Sequence, residues 1–423
     1  MADRPRTESR QLDRLQALIA ELRTGNAFYG GRLKKSGIGA SLSSLAEFTE
    51  RMPFTTKMDL VWDREEFPPY GSNLTYPLGR YSRYCQSSGT SNSPFPSLDT
   101  AESWSAMLDC WDRVYEAAGI GSGEKVFFAF SFGPFLGFWT AFESATRRGN
   151  LSIPGGGLSS KARLQVMVAH SVEVLCCTPT YAMRLGEIFA EHVNDETATY
   201  RLKKIIVAGE PGGSIPAVRQ RISDLWKGAR IFDHHGMTEV GPVTYEHPDK
   251  PLNLCVIEDA YFAEVINRET HREVEPGQQG ELVLTTLTGN ACPMLRYRTG
   301  DLVEKTYFHP PGSDEPVLSL EGGILGRVDE MVVIRGVNIY PTAVEKIIRG
   351  FPEVVEFQVI QTIRQSMAEL EVSIEADSRA KPDLAERVER ELADAFTLRI
   401  PVRVVEAGAL PRYEFKSRRW IKQ

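Results

Sequence analysis

The sequence predicts an α/β protein: a large N-terminal domain of mostly parallel sheets with a β-rich subdomain, then a small α+β C-terminal domain. Three observations carry this. From about residue 124 to 241, short apolar runs alternate with helical stretches, the pattern of strands joined by crossover helices. From about 252 to 303 the runs become β-rich and are separated by turn signals. The last ninety-odd residues, from near Gly326, hold two amphipathic helical stretches and three strand-like runs. At 423 residues the chain also exceeds what one hydrophobic core supports. The expected division is 1–326 and 327–423.

Taken in order, Leu12, Leu15, Leu18 and Leu22 recur at helical spacing and predict an N-terminal helix. "RMPFTTKMDL" reads as a turn into a second helix start, with Thr55 as the cap and Asp59 in the first turn. "KVFFAFSF", "NLSIPGGG", "VEVLCCTP", "KKIIVAGE" and "ARIFDHHG" are apolar runs that end in Gly, Pro or polar residues. "SKARLQVMVAH" and "YAMRLGEIFAEHV" between them are helical. A largely parallel sheet follows, with ligands expected beyond the strands' carboxyl ends. "AYFAEVIN", "GELVLTTLT" and "CPMLRYRTGDLV" supply the β-rich part, and "HPPGSDEP" a loop. "DEMVVIRG", "VVEFQVIQ" and "MAELEVSIEA" are strand-like, whereas "TAVEKIIRGF" and "PDLAERVERELADAF" are amphipathic helices.

Composition excludes several classes. A net charge of −7 offers no general attraction to nucleic acid or anionic lipid, so neither is an expected partner. The longest uncharged run, from Val126 to Phe142, is broken by Gly133, Pro134 and Gly137 and predicts strand, loop and helix start rather than a membrane span. Six cysteines (Cys85, Cys110, Cys176, Cys177, Cys255, Cys292) without a CxxC pair predict reduced thiols in a cytoplasmic protein. GxxxxGK[ST], GxSxG, HExxH and a post-strand GxGxxG are all missing, which removes the main support for several common enzyme classes.

Chemistry collects in a few stretches. "YCQSSGTSNSPF" gathers small hydroxylated residues around a glycine, as a loop wrapping phosphate oxygens does, but contains no lysine. "VAGEPGGS" brings exposed backbone to the sheet edge, suited to a flat ring, or is simply a strand-to-helix turn. In "FDHHGMTEVGP" a hydroxyl and a carboxylate, Thr238 and Glu239, can face one site and hold Mg²⁺; equally, Thr238 can cap a helix. Asp301 in "RYRTGDLV" is a turn acid or a ribose acceptor. "GRVDEMVVIRGVNIYP" lies at a boundary where Asp329 suits a hinge. "LPRYEFKSRRW" is basic and close to the end of the chain.

Together and in this order, "SSGT", "AGEP", "GMTEVGP", "YRTGDL", "GRVDEMVVIRGVNIYP" and "LPRYEFK" resemble the adenylate-forming superfamily in its phenylacetate–CoA ligase branch, as does "MPFTTKMDL". The resemblance spans nearly the whole chain. It implies activation of a carboxylic acid by ATP to an acyl-adenylate, then transfer to coenzyme A. Transfer to a carrier protein or an amine, and nucleotide binding without turnover, are the alternatives.

Position by position, the resemblance implies that Ser87, Ser88, Gly89 and Thr90 contact the triphosphate, and that Gly209, Glu210 and Pro211 line the adenine. Asp233, His234, His235, Gly236 and Met237 border the nucleotide, His235 standing where the family has tyrosine. Thr238 reaches the α-phosphate, Glu239 the Mg²⁺, and Asp301 the ribose, with Arg327 close by. Lys416 is the catalytic lysine, preceded by Phe415 where glycine is usual, and Asp329 is the hinge of a small, mobile lid. Phe132, Phe135 and Gly236 belong to the acyl pocket, whose aromatic lining suits an aryl or arylalkyl acid. A homodimer is also implied. Zinc is not expected, because His247 and Cys255 alone cannot close a tetrahedral site.

The phosphate loop departs from the family's "SSGTTGKP" by carrying Ser91, Asn92 and Ser93. Backbone N–H groups and hydroxyls still cradle phosphate, but a positive partner for pyrophosphate is gone. Asn92→Gly combined with Ser93→Lys is expected to lower the KM for ATP in steady-state assays. An unchanged KM means that this loop never depended on that charge.

Overall fold

The computed structural model describes residues 4–39, 41–87, 94–192, 201–334, 337–364, 367–413 and 417–423. The five expected apolar runs form one parallel sheet. Its order is Leu151–Pro154, Lys125–Phe128, Val174–Cys177, Lys204–Ala208 and Arg230–His234. Buried on both faces, the central strands are near-continuously apolar, as parallel strands are, whereas the edge strand Leu151–Pro154 is half exposed. One face packs on Leu164, Tyr181, Leu185 and Trp226 from the crossover helices Ser160–Ala169, Pro179–His192 and Pro216–Leu225 and their flanks. The other face, with Val126, Phe128 and Cys176, shares a core with Trp111, Tyr115 and the antiparallel sheet. The uncharged run from Val126 divides as its glycines require: strand to Phe128, loop, then helix Leu136–Arg147.

That antiparallel sheet has the order Thr244–Glu246, Asn253–Val256, Val317–Arg327, Tyr297–Phe308, Gln279–Thr286, Tyr261–Ile266. The loop "HPPGSDEP" joins its two long central strands. The last unit is a four-stranded mixed sheet, ordered Val402–Val405, Met367–Ala376, Val354–Arg364 and Trp420–Lys422. Helices Pro341–Arg349 and Leu384–Phe396 cover it, and their Val344, Ile348, Val388 and Leu392 are fully buried. No helix among the described residues is long and apolar enough to cross a membrane.

The N-terminal helix Pro5–Gly25 buries Leu15, Leu18, Ile19 and Leu22 against Leu287 and Leu295 of the antiparallel unit. Each such side chain contributes about 1.5–3 kcal/mol relative to exposure. Helix Lys57–Glu66 is capped by Thr56, not by Thr55 as the sequence suggests. Thr56 Oγ1 accepts from Asp59 N–H, while the Asp59 carboxylate accepts from the Thr56 backbone. Thr55 is needed elsewhere: it is fully buried, bridges to Tyr297, and its hydroxyl donates to the Leu295 carbonyl.

The phenol of Tyr29 completes this junction. It lies 3.1 Å from Thr55 Oγ1 and accepts from Leu295 N–H at 3.0 Å, all out of solvent. Tyr29→Phe leaves that amide without an acceptor. A loss of about 1–3 kcal/mol is expected from urea unfolding, and an unchanged midpoint with unchanged slope refutes the role.

Candidate functional site

The carboxyl ends of the parallel strands collect the polar stretches. After Lys204–Ala208 the chain runs through Gly209–Gly213, where Gly209 and Pro211 are exposed and Glu210 is half-buried. Gly213 must be glycine: a Cβ there would lie 2.4 Å from the Asp233 carboxyl carbon. That close approach lets Ser214 Oγ donate to Asp233 at 2.6 Å and ties the glycine loop to the next strand. Asp233 also accepts from His234 N–H, and its own N–H donates to Glu246.

The two adjacent histidines face different partners. His234 ends the strand and turns inward, its ring 4.4 Å from that of Trp111. Its Nδ1 is 2.6 Å from the Thr244 carbonyl, which only accepts, so Nδ1 carries the proton. Burial pushes His234 down to about 4, so the ring is neutral. His235 turns the other way, bringing Nε2 to 3.2 Å from Asp301 Oδ2, a charge contact rather than an aligned hydrogen bond.

Asp301 sits between two cation-capable groups. Arg327, its cross-strand partner, donates from Nη1 to Oδ1 at 3.0 Å. Burial opposes ionisation of Asp301, but the charges of His235 and Arg327 outweigh it and hold the carboxyl below the usual carboxylate range. Arg327 also pairs with Asp329 at 2.9 Å, in the short 3₁₀ turn Val328–Glu330. One guanidinium therefore connects the ribose candidate to the hinge candidate.

Gly236 and Met237 pair with Gly241 and Pro242 in a tight antiparallel ladder, and a Cβ on Gly236 would lie 2.9 Å from the Gly241 carbonyl oxygen. Thr238 and Glu239 occupy the turn, and no helix begins there. Glu239 is nearly buried and has a cation the sequence did not reveal: Lys57 Nζ, 3.4 Å away. Both Thr238 and Glu239 offer oxygen donors, which fit Mg²⁺, and a single carboxylate suits an ion that brings phosphate oxygens with it. Among the described residues no three His, Cys, Asp or Glu side chains group to hold a metal by themselves. His247 packs on Phe308 instead, at 4.9 Å between centroids.

The hydroxyl-rich loop is framed by Tyr81–Gln86 and Pro96–Thr100. At its foot Ser87 N–H donates to the Phe95 carbonyl at 2.9 Å, and Phe95 N–H to Ser87 Oγ at 2.9 Å. Helix Lys57–Glu66 lies beside it, with Arg64 donating to the Pro94 carbonyl at 3.0 Å. Arg64 thus places a positive group at the foot of this loop. Ser88, Gly89, Thr90 and Lys416 lie outside the described residues.

Phe132 and Phe135 sit in the aromatic loop that follows Lys125–Phe128. Phe132 is buried with φ of 58° and packs on Trp139 and Phe142 at 4.9 and 5.5 Å. A bulky residue in that left-handed region is strained, and strain of this kind concentrates where side-chain direction matters. Phe135 is half-buried, and its ring meets Phe138 edge-on at 5.8 Å.

Two family models match the chain: "AMP-binding enzyme" over residues 99–289 and "AMP-binding enzyme C-terminal domain" over 336–423. Among curated relatives, the phenylacetate–coenzyme A ligase of Thermus thermophilus is 31% identical over 97% of this chain and 95% of its own. That of Pseudomonas putida is 30% identical over 86% and 81%. A crystal structure of 2-hydroxyisobutyryl-CoA ligase in the postadenylation state, with 2-HIB-AMP, is 26% identical. It superposes with a TM-score of 0.89, covering 99% of this chain and 92% of that one. The same ligase in the thioesterification state, with 2-HIB-AMP and CoA, superposes at only 0.71 over 99% and 91%.

Burial moves Asp233 and His234 in opposite directions in stability terms. Asp233, pushed up to about 7, stabilises the fold when protonated, so its contribution is full at low pH and fades as pH rises toward 7. His234, neutral when buried, contributes above its ordinary pKa, and this is lost as pH falls toward 4. Asp233→Asn removes only the first slope. Its urea midpoint is expected to climb more steeply than wild type from about pH 4.5 to about pH 6.5; parallel curves refute the assignment.

Proposed function

Because the chain belongs to the phenylacetate–coenzyme A ligase branch of the adenylate-forming enzymes, we propose that the acid it activates is an aryl or arylalkyl carboxylate. The reaction is an AMP-forming acid–thiol ligation. The carboxylate attacks the α-phosphorus of ATP, pyrophosphate leaves, and the thiolate of coenzyme A then displaces AMP from the acyl-adenylate.

The observation that supports our assignment of roles is the convergence of Thr238, Glu239, His235 and Asp301 on the carboxyl edge of the parallel sheet. Bringing a carboxylate against a triphosphate sets anion against anion. Placed cations and oriented dipoles in a closed site relieve that repulsion. Lys416 would bridge the attacking carboxylate and the α-phosphate, with the Thr238 hydroxyl donating to the same phosphate. Mg²⁺ held by Glu239 would supply further charge to the phosphates. Lys57 balances the charge of Glu239 from 3.4 Å.

Asp301 remains able to bind ribose. A carboxylate has about four acceptor positions, and Arg327 and His235 face one oxygen each. Gly209, Glu210 and Pro211 would border the adenine through main-chain groups. Phe132 and Phe135 would wall the acyl pocket above Gly236. The hinge would lie at Asp329, dividing a unit of 1–326 from a lid of 327–423. We place the protein in the cytoplasm, where its six free thiols stay reduced.

Acid-dependent exchange of labelled pyrophosphate into ATP, run over a panel of aryl, arylalkyl and short alkyl acids, tests the reading. Exchange with an aryl or arylalkyl acid supports it, and exchange with alkyl acids alone overturns the substrate class. Lys416→Ala is expected to cut exchange by roughly 10²-fold or more, the scale for a preorganised charge at a reacting centre. ATP binding by calorimetry should stay largely intact. Undiminished exchange in that variant refutes the lysine's role.

A further inference from the structure

Glu210 does something that a ring-lining residue has no need to do. Both of its carboxylate oxygens accept backbone N–H groups from distant parts of the chain. Oε1 accepts from Thr180 at 2.8 Å, in the first turn of helix Pro179–His192. Oε2 accepts from Ser417 at 2.9 Å, a residue 207 positions away that directly follows Lys416. A helix start carries unpaired N–H groups and partial positive charge, so a carboxylate there is well held.

A second residue of this segment reaches Thr180 directly. Arg419, almost fully buried, points Nη1 at Thr180 Oγ1 at 3.4 Å. Its other donors bind Glu356 through both carboxylate oxygens, at 2.7 and 3.1 Å. Thr180 is therefore gripped twice, at its amide by Glu210 and at its hydroxyl by Arg419. A third contact, from Arg221 Nη1 to the Val354 carbonyl at 3.0 Å, joins the same two units.

These contacts belong to one arrangement of the units. The chain superposes at 0.89 on 2-hydroxyisobutyryl-CoA ligase in its postadenylation state and at 0.71 on the same ligase in its thioesterification state. Identity is 26% in both comparisons, so the difference lies in how the parts are placed.

We propose that Glu210 is a positioning residue: its carboxylate latches the segment following Lys416 onto the start of helix Pro179–His192 in the adenylate-forming arrangement, and lets go in the thioester-forming one. The proposal rests on the assignment of Lys416 as the catalytic lysine. Main chain and side chain of Glu210 then serve different ends, the first bordering adenine and the second fixing the backbone at Ser417, just after the lysine. Removing a contact made in only one of two arrangements shifts the population toward the other.

The test uses the full-length protein as Glu210→Ala and Glu210→Gln. Nitroxide labels at exposed Lys161→Cys and Glu391→Cys report the distance between the units by pulsed electron resonance, with no ligand added. Glu210→Ala is expected to move or broaden the distance distribution, and Glu210→Gln, which keeps one acceptor oxygen, to do so less. At saturating ATP, pyrophosphate exchange should fall about tenfold or more in Glu210→Ala, the value of a charge-assisted hydrogen bond. Thioester formation from supplied acyl-adenylate and coenzyme A should fall less than exchange does, since that step does not use the latch. An unchanged distance distribution overturns the proposal, as does an equal fall in both half-reactions. If wild type exchanges pyrophosphate with no acid, the functional reading fails while the distance measurement still decides the latch.

Discussion

The buried carboxylate of Glu246 is the fixed point from which the site is hung. It pairs with Arg219, accepts the Asp233 amide, and lies at the junction of a crossover helix, the last parallel strand and the first strand of the antiparallel sheet. Its neighbours follow from it. With Asp233 held, Ser214 ties down the glycine loop; with Thr244 held beside Glu246, its carbonyl takes His234 and its hydroxyl takes the His235 amide. Removing one partner of so enclosed a pair costs about 3–5 kcal/mol. The loss would also loosen the glycine loop and the turn that carries both histidines.

Charge is the second constraint. A chain of net charge −7 must receive two anions and make them react. It does so with few cations placed individually. Arg327 offsets Asp301, and Lys57 offsets Glu239. Lys57 and Arg64 lie on one helix, the first against Glu239 and the second at the foot of the hydroxyl-rich loop.

The small unit is held in part by polar contacts, in which Glu210, Thr180, Arg419 and Arg221 make directional bonds. Directional bonds of this kind hold an orientation and can be exchanged for another set. A large hydrophobic interface could not be. That distinction suits a reaction in two halves.

Much of the architecture was legible in the sequence because it is written in local patterns. Apolar runs punctuated by Gly and Pro marked all five parallel strands, and amphipathic spacing marked the helices of the last unit. The order of six short motifs was enough to identify the family, since each motif is a run of neighbours. Contacts between distant residues left no such trace. Thr55 looked like the cap, and only its pairing with Tyr297 left that place to Thr56. His234 and His235 were equivalent letters until strand geometry sent one to Trp111 and the other to Asp301. Lys57 meets Glu239, and Glu210 meets Ser417, across separations that no window of sequence spans. Local chemistry chose the elements and the kind of reaction. The folded chain alone decided which charges face each other, because opposition in space is set by packing and not by order along the backbone.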